Sequence, residues 1–86
     1  MEIKKQLIKR NVGSDTILVP VGQSASENNG LFVLTQTAGL LWDKLPECES
    51  EEELAEILFN EYEVTKEEAL GDTKAFLATL KKYNII

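Results

Sequence analysis

The sequence predicts an α+β domain in which a three-stranded antiparallel sheet is followed by a three-helix bundle. Three observations lead there. The first third is rich in β-branched residues and turn formers, with Ile17-Leu-Val-Pro-Val21 as its densest stretch. An apolar run, Leu31-Phe-Val-Leu34, leads straight into Ala38, Leu41, Trp42 and Leu45 at helical spacing. Beyond it, two Ser/Thr-x-x-Glu boxes, at Ser50 and Thr65, each mark a helix N-terminus.

The elements follow in order. Ile3, Leu7 and Val12 are apolar residues spaced among polar ones, the pattern of a first strand. Val12-Gly-Ser-Asp-Thr16 has turn chemistry, because Gly accepts positive φ and Ser or Asp bonds nearby amides. A second strand over Ile17 to Val21 contains Pro20, which lacks an amide donor and belongs at an edge, a bulge or a strand end. Gly22 to Gly30 is a polar connector, and Leu31 to Leu34 is the third strand. Short connections favour an antiparallel meander.

The first helix runs from about Gln36 to Leu45, with Thr35 as its cap and Pro46 as its stop. The Ser50 box starts a second helix presenting Leu54, Ile57, Leu58 and Tyr62 inward. The Thr65 box follows only three residues after Tyr62, so the third helix begins after a tight turn and buries Ala69, Thr73, Phe76, Leu77 and Leu80. Ile85 and Ile86 fold back onto the core. Three strands and three helices with a short turn between the last two describe a winged-helix-like domain. Gly71 sits inside the third helix, and two readings stand: a tolerated residue or close helix packing, and room for a ligand backbone.

Length and composition bound what this domain does. Eighty-six residues, 43% of them apolar, make a single domain spanning 1–86, near the low end of what folds without disulfides or metal. Cys48 is the only cysteine, so no internal disulfide forms and a cytoplasmic location is expected. No stretch reads as a signal peptide or a membrane span. His is absent, which removes Ser-His and Cys-His nucleophile pairs. Cys48 lies between Glu47 and Glu49, whose charges disfavour a thiolate. The acids around Glu47 to Glu56 suit a helix start, where carboxylates favour the dipole. Neither catalysis nor a metal or cofactor is expected.

Charge is unevenly placed within the net −6. Residues 1–22 hold Lys4, Lys5, Lys9 and Arg10 against Glu2 and Asp15, whereas 43–72 hold twelve acids and two lysines. In a helix-turn-helix the second helix enters the major groove by its N-terminal end. Here that end carries Glu67, Glu68 and Asp72 against Lys66 and Lys74, so the positive footprint of a nucleic-acid binder is missing.

The strand Leu31 to Leu34 is the anomaly. Four consecutive apolar side chains point alternately to opposite faces. If Phe32 and Leu34 face the helices, Leu31 and Val33 lie on the other side. One reading gives them a satellite cluster with Leu7, Ile17 and Val19. The other leaves an edge open for an incoming strand, which gains main-chain hydrogen bonds and side-chain pockets. Exposed edges usually carry charges or prolines, and this strand carries neither.

From about Ile17 to Ile86 the chain resembles the PqqD-like family. The features that carry the likeness are Ile17-Leu-Val-Pro-Val-Gly22, Phe32-Val-Leu-Thr-Gln-Thr-Ala-Gly39, Trp42, Leu45, Tyr62, Val64, Asp72, Phe76-Leu77 and Leu80. The resemblance implies a winged-helix-like recognition element in the biosynthesis of ribosomally made, post-translationally modified peptides, which include pyrroloquinoline quinone, lasso peptides and sulfur-bridged peptides. It implies that a precursor's leader adds as an antiparallel strand to the third strand, beside the third helix. A partner enzyme, often a radical S-adenosylmethionine enzyme, then acts on the delivered peptide.

Carried over by position, Leu31, Phe32, Val33 and Leu34 supply the receiving strand. Ala69, Thr73 and Leu77 are candidates for the groove wall or are wholly core. Asp72 matches a characteristic acid of the family, and either pairs with the basic N-terminal arm or touches peptide. Thr35 stands where relatives usually have Asn, and Asn84 replaces a common Gly. The rival functional classes are a winged-helix DNA-binding regulator and a protein-docking scaffold. A monomer is expected at working concentrations, with a homodimer through the unprotected edge when the protein is concentrated.

Overall fold

Gly13 and Ser14 turn the chain between β1 (Leu7–Val12) and β2 (Asp15–Pro20). Gly13 has φ +63°, and Asn84 is the only non-glycine with positive φ among the described residues. A two-residue loop with positive φ at its first position alone has the pattern of a type II′ hairpin, whose twist matches that of the strands. The computed structural model describes residues 1–22 and 32–86. The expected polar loop Gln23 to Asn29, and Leu31, lie outside the described residues.

The third strand, β3 (Phe32–Leu34), pairs antiparallel with β2 through Thr16↔Leu34, Ile17↔Val33 and Leu18↔Phe32. The sheet order is β1-β2-β3, the expected meander, so β2 is central and β3 keeps one long edge unpaired within the sheet. Pro20 falls at the last position of β2, opposite Leu7. Alternation then sorts the side chains. Leu7, Leu18, Phe32 and Leu34 face the helices, and Leu18 is completely buried. The outer face carries Ile8, Arg10, Val12, Ile17, Val19 and Val33. Leu7 is therefore not a member of the expected outer cluster. Its register against Pro20 gives it the parity of Leu18, and Ile8, opposite Val19, takes its place.

Three helices cover the inner face: α1 (Gln36–Lys44), α2 (Glu51–Glu61) and α3 (Lys66–Lys82). A 3₁₀ turn over Leu45–Glu47, with Pro46 inside it, ends α1. All three expected caps are present. Ala38 N donates to Thr35 Oγ1 at 3.1 Å, Glu53 N to Ser50 Oγ at 3.2 Å, and Glu68 N to Thr65 Oγ1 at 3.1 Å. In the third, the Thr65 hydroxyl also donates to Glu68 Oε1 at 3.3 Å. Such caps satisfy amides that the helix cannot, at about 1 kcal/mol each. Leu41, Leu45, Leu54, Leu58 and Ile85 join Leu18 in the fully buried centre.

The end of α3 is a Schellman turn. Ile85 N donates to Leu80 O at 2.9 Å and Asn84 N to Lys81 O at 3.1 Å, with Asn84 at φ +59°. This turn drives Ile85 into the core, where it has no exposure. Ile85 O in turn accepts from Lys4 N at 2.6 Å, and the Met1 amino group donates to Leu45 O at 3.0 Å. The residues before β1 thus belt both ends of the helical layer. Asn tolerates left-handed backbone, which is why it replaces glycine here without loss of the turn.

Two stability predictions follow from this packing. Gly71 is exposed, and an added Cβ would meet nothing within 4 Å, so close helix packing is not its reason for being glycine. Gly71→Ala is expected to raise unfolding free energy by about 1 kcal/mol in urea titrations, the helix-propensity difference. Ile85→Ala removes a fully buried side chain while keeping the backbone bonds of the Schellman turn. It should lower stability by about 2–5 kcal/mol in the same titration.

Candidate functional site

The free edge of β3 borders a groove of about 480 Å³. Val33, Leu34 and Thr35 form one side, Thr37, Ala38 and Leu41 of α1 its floor, and Asp72, Ala75, Phe76 and Thr79 of α3 the opposite wall. Each part follows from local structure. Thr35 ends the strand and caps α1, so the chain turns directly from edge to floor. Positions 72, 75, 76 and 79 recur at three- and four-residue spacing and so form one stripe of α3. Phe32 meets Tyr83 edge-to-face, ring centroids 5.0 Å apart, which ties the start of β3 to the C-terminal end of α3.

Val33 is 71% exposed. Ile17 opposite it is half-buried, and the outer cluster does not cover the edge. Phe32 and Leu34 are half-buried against the core cluster, as alternation required. β3 and the last helix are therefore brought together.

Of the two readings for Ala69, Thr73 and Leu77, the structure takes the core. Ala69, Thr73 and Leu77 are buried in the core face of α3 and do not line the groove. The wall lies one helical step round, at Asp72, Ala75, Phe76 and Thr79. The resemblance offered that stripe as wall or as wholly core, and packing of α3 against α2 and α1 takes it for the core. The smaller, more polar stripe beside it, Asp72–Ala75–Thr79, was the signal in the sequence. The Thr73 hydroxyl is buried without a hydrogen-bond partner. Nor does Asp72 pair with the basic arm: Lys9 reaches Asp43 instead, at 2.5 Å.

Among the described residues, no group of three or more His, Cys, Asp or Glu is placed to hold a metal ion. Among the same residues, no helix is long and apolar enough to cross a membrane. Cys48 is buried, and burial pushes its thiol pKa up from the ordinary 9.0. Glu53 and Glu47 add to the rise, against the opposing pull of the amino terminus and Lys44. The thiol is thus held in its unreactive form.

Together these features define the class: an α+β, winged-helix-like domain with an open strand edge above an apolar groove. Residues 17–86 match the family model described as coenzyme PQQ synthesis protein D (PqqD), and the chain belongs to that family. The fold is shared with two solved structures. One is TbiB1 in complex with the TbiA(beta) leader peptide, 20% identical, TM-score 0.72, covering 99% of this chain and 93% of that one. The other is a lasso peptide synthetase B1 complexed with the leader peptide, 22% identical, TM-score 0.73, covering 95% and 91%. A comparison with curated proteins found no match.

The Cys48 geometry makes a pH prediction. A folded-state pKa raised above the unfolded value adds stability that is fully present below the unfolded pKa and lost as pH rises through the folded one. The Cys48 contribution should persist up to about pH 9, the ordinary thiol value, and be lost above it. In urea titrations run from pH 7 to 11, the stability of Cys48→Ser should fall less steeply above that value than that of wild type. At pH 8 a thiol reagent should label the native protein far more slowly than the urea-unfolded chain.

Proposed function

We propose that this domain binds the leader segment of a ribosomally made precursor peptide as an added antiparallel strand on β3, and presents it to a tailoring enzyme. The observation that carries this reading is the open β3 edge, free of protective charge or proline, lying beside an apolar groove. An added strand satisfies the amide and carbonyl of Val33, which the alternation of the ladder turns away from β2. Its alternate side chains fall into the groove over Leu34, Leu41 and Phe76. A segment of about 5–6 residues, some 17–20 Å, is an ordinary strand length for such a contact. Membership in the PqqD family supports this reading, as do the leader complexes in which both structural neighbours were solved.

The domain acts by binding rather than by chemistry: it contributes no histidine and holds its one thiol protonated. The tailoring enzyme, in this family often a radical S-adenosylmethionine enzyme, supplies the reaction. Delivery raises the effective concentration of the peptide's core at that enzyme without a new contact to the core itself. The acidic first turn of α3, with Glu67 and Glu68, disfavours the DNA-binding alternative.

The test is a titration of the protein against the leader encoded beside its gene, with mixed-sequence DNA as control. Val33→Pro removes one amide and restricts the residue before it. It is expected to weaken leader binding at least tenfold, about 1.4 kcal/mol, while circular dichroism reports an intact fold. Normal binding by a folded Val33→Pro protein, or tight DNA binding with no response to leader, overturns the proposal.

A further inference from the structure

The polar lining of the groove is engaged within the chain, with one exception. The Thr35 and Thr37 hydroxyls lie 3.2 Å apart, and Thr35 also caps α1. Thr79 Oγ1 donates to Ala75 O at 3.1 Å. Asp72, the one charged side chain lining the groove, is exposed and has neither hydrogen bond nor ion pair among the described residues. Two lysines of α3 stand over aromatic rings, Lys66 over Phe59 at 5.6 Å and Lys82 over Tyr83 at 5.7 Å.

A peptide strand laid over this groove displaces water from the Asp72 carboxylate. With only apolar side chains above it, that carboxylate is left desolvated and unpaired, which opposes binding. A cation there restores both charge and hydrogen bonding. We infer that Asp72 makes the groove selective for strands that carry a Lys or Arg on their groove-facing side, next to an apolar residue two positions away. The spacing follows from the strand period, since every second residue of the added strand faces the groove. Asp72 then acts by rejection as much as by attraction, turning away purely apolar strands that the edge alone would accept. This inference rests on strand addition at β3 and adds the class of peptide that the site takes.

The experiment selects a displayed library of random ten-residue peptides on the immobilised wild-type domain, on Asp72→Asn and on Asp72→Lys, with Val33→Pro as the edge control. All variants are first checked for folding by circular dichroism. Wild type should enrich peptides pairing a Lys or Arg with an apolar residue at two-residue spacing. Asp72→Asn should lose the preference for the cation, and Asp72→Lys should replace it by Asp or Glu. In a synthetic copy of an enriched peptide, Lys→Gln should weaken binding about fivefold, ~1 kcal/mol for a partly exposed pair. The same change should have no effect on Asp72→Asn. Enrichment of apolar or hydroxyl-bearing peptides without a cation, lost on Val33→Pro, overturns the role of Asp72 and leaves strand addition standing. No enrichment on wild type, or enrichment indifferent to Val33→Pro, overturns both.

Discussion

Strand alternation about Leu18 is the constraint on which the rest of the domain depends. Leu18 is the fully buried residue of the sheet and stands opposite Phe32, so its burial fixes the parity of β2 and β3 together. A one-residue slip would turn every inner side chain outward. With Leu18 inside, Ile17 and Val33 are necessarily outside, and Phe32 and Leu34 necessarily meet the helices. The apolar outer face and the half-covered edge are thus consequences of the same contact that closes the core. In a sheet of three short strands there is no second buried face to share the load.

The helices answer that constraint from the other side. Their caps are local and independent, each a Ser or Thr hydroxyl on one amide, so each helix starts where its own sequence dictates. What joins them is the C-terminal turn. The left-handed Asn84 returns Ile85 to the core, and Ile85 O holds the backbone of Lys4. The residues before β1 are thereby anchored on the helical layer, far along the chain from β3. The groove edge needs no contribution from them and remains accessible.

Much of this was legible in the sequence because it rests on short-range chemistry. Gly13-Ser14, the Thr35, Ser50 and Thr65 caps, and the apolar periodicity of α1 to α3 each act over a few residues. The meander followed from short connections, and the exposed side of Val33 from period-two alternation. Two features did not. Leu7 and Ile8 are both apolar neighbours, and only the pairing Leu7↔Pro20 decides which of them faces inward. Nor could the sequence choose between wall and core for Ala69, Thr73 and Leu77, because they and the groove-lining Asp72, Ala75, Phe76 and Thr79 are adjacent stripes of one helix. Choosing between them requires knowing where α2 lies, which is a long-range fact that no local pattern contains.

The composition of the α3 wall also explains how such a groove stays both folded and open. A wall made of large apolar side chains throughout would collapse onto the floor, since burying apolar surface is worth about 25 cal/mol per Å². The protein instead spends its large side chains on the core and faces the groove with Ala75, Thr79 and the charged Asp72, leaving Phe76 as the only large wall residue. Small and charged groups gain little by closing the gap, and a carboxylate resists being covered without a partner. The same composition that keeps the groove from filling itself also sets the terms on which another strand can fill it.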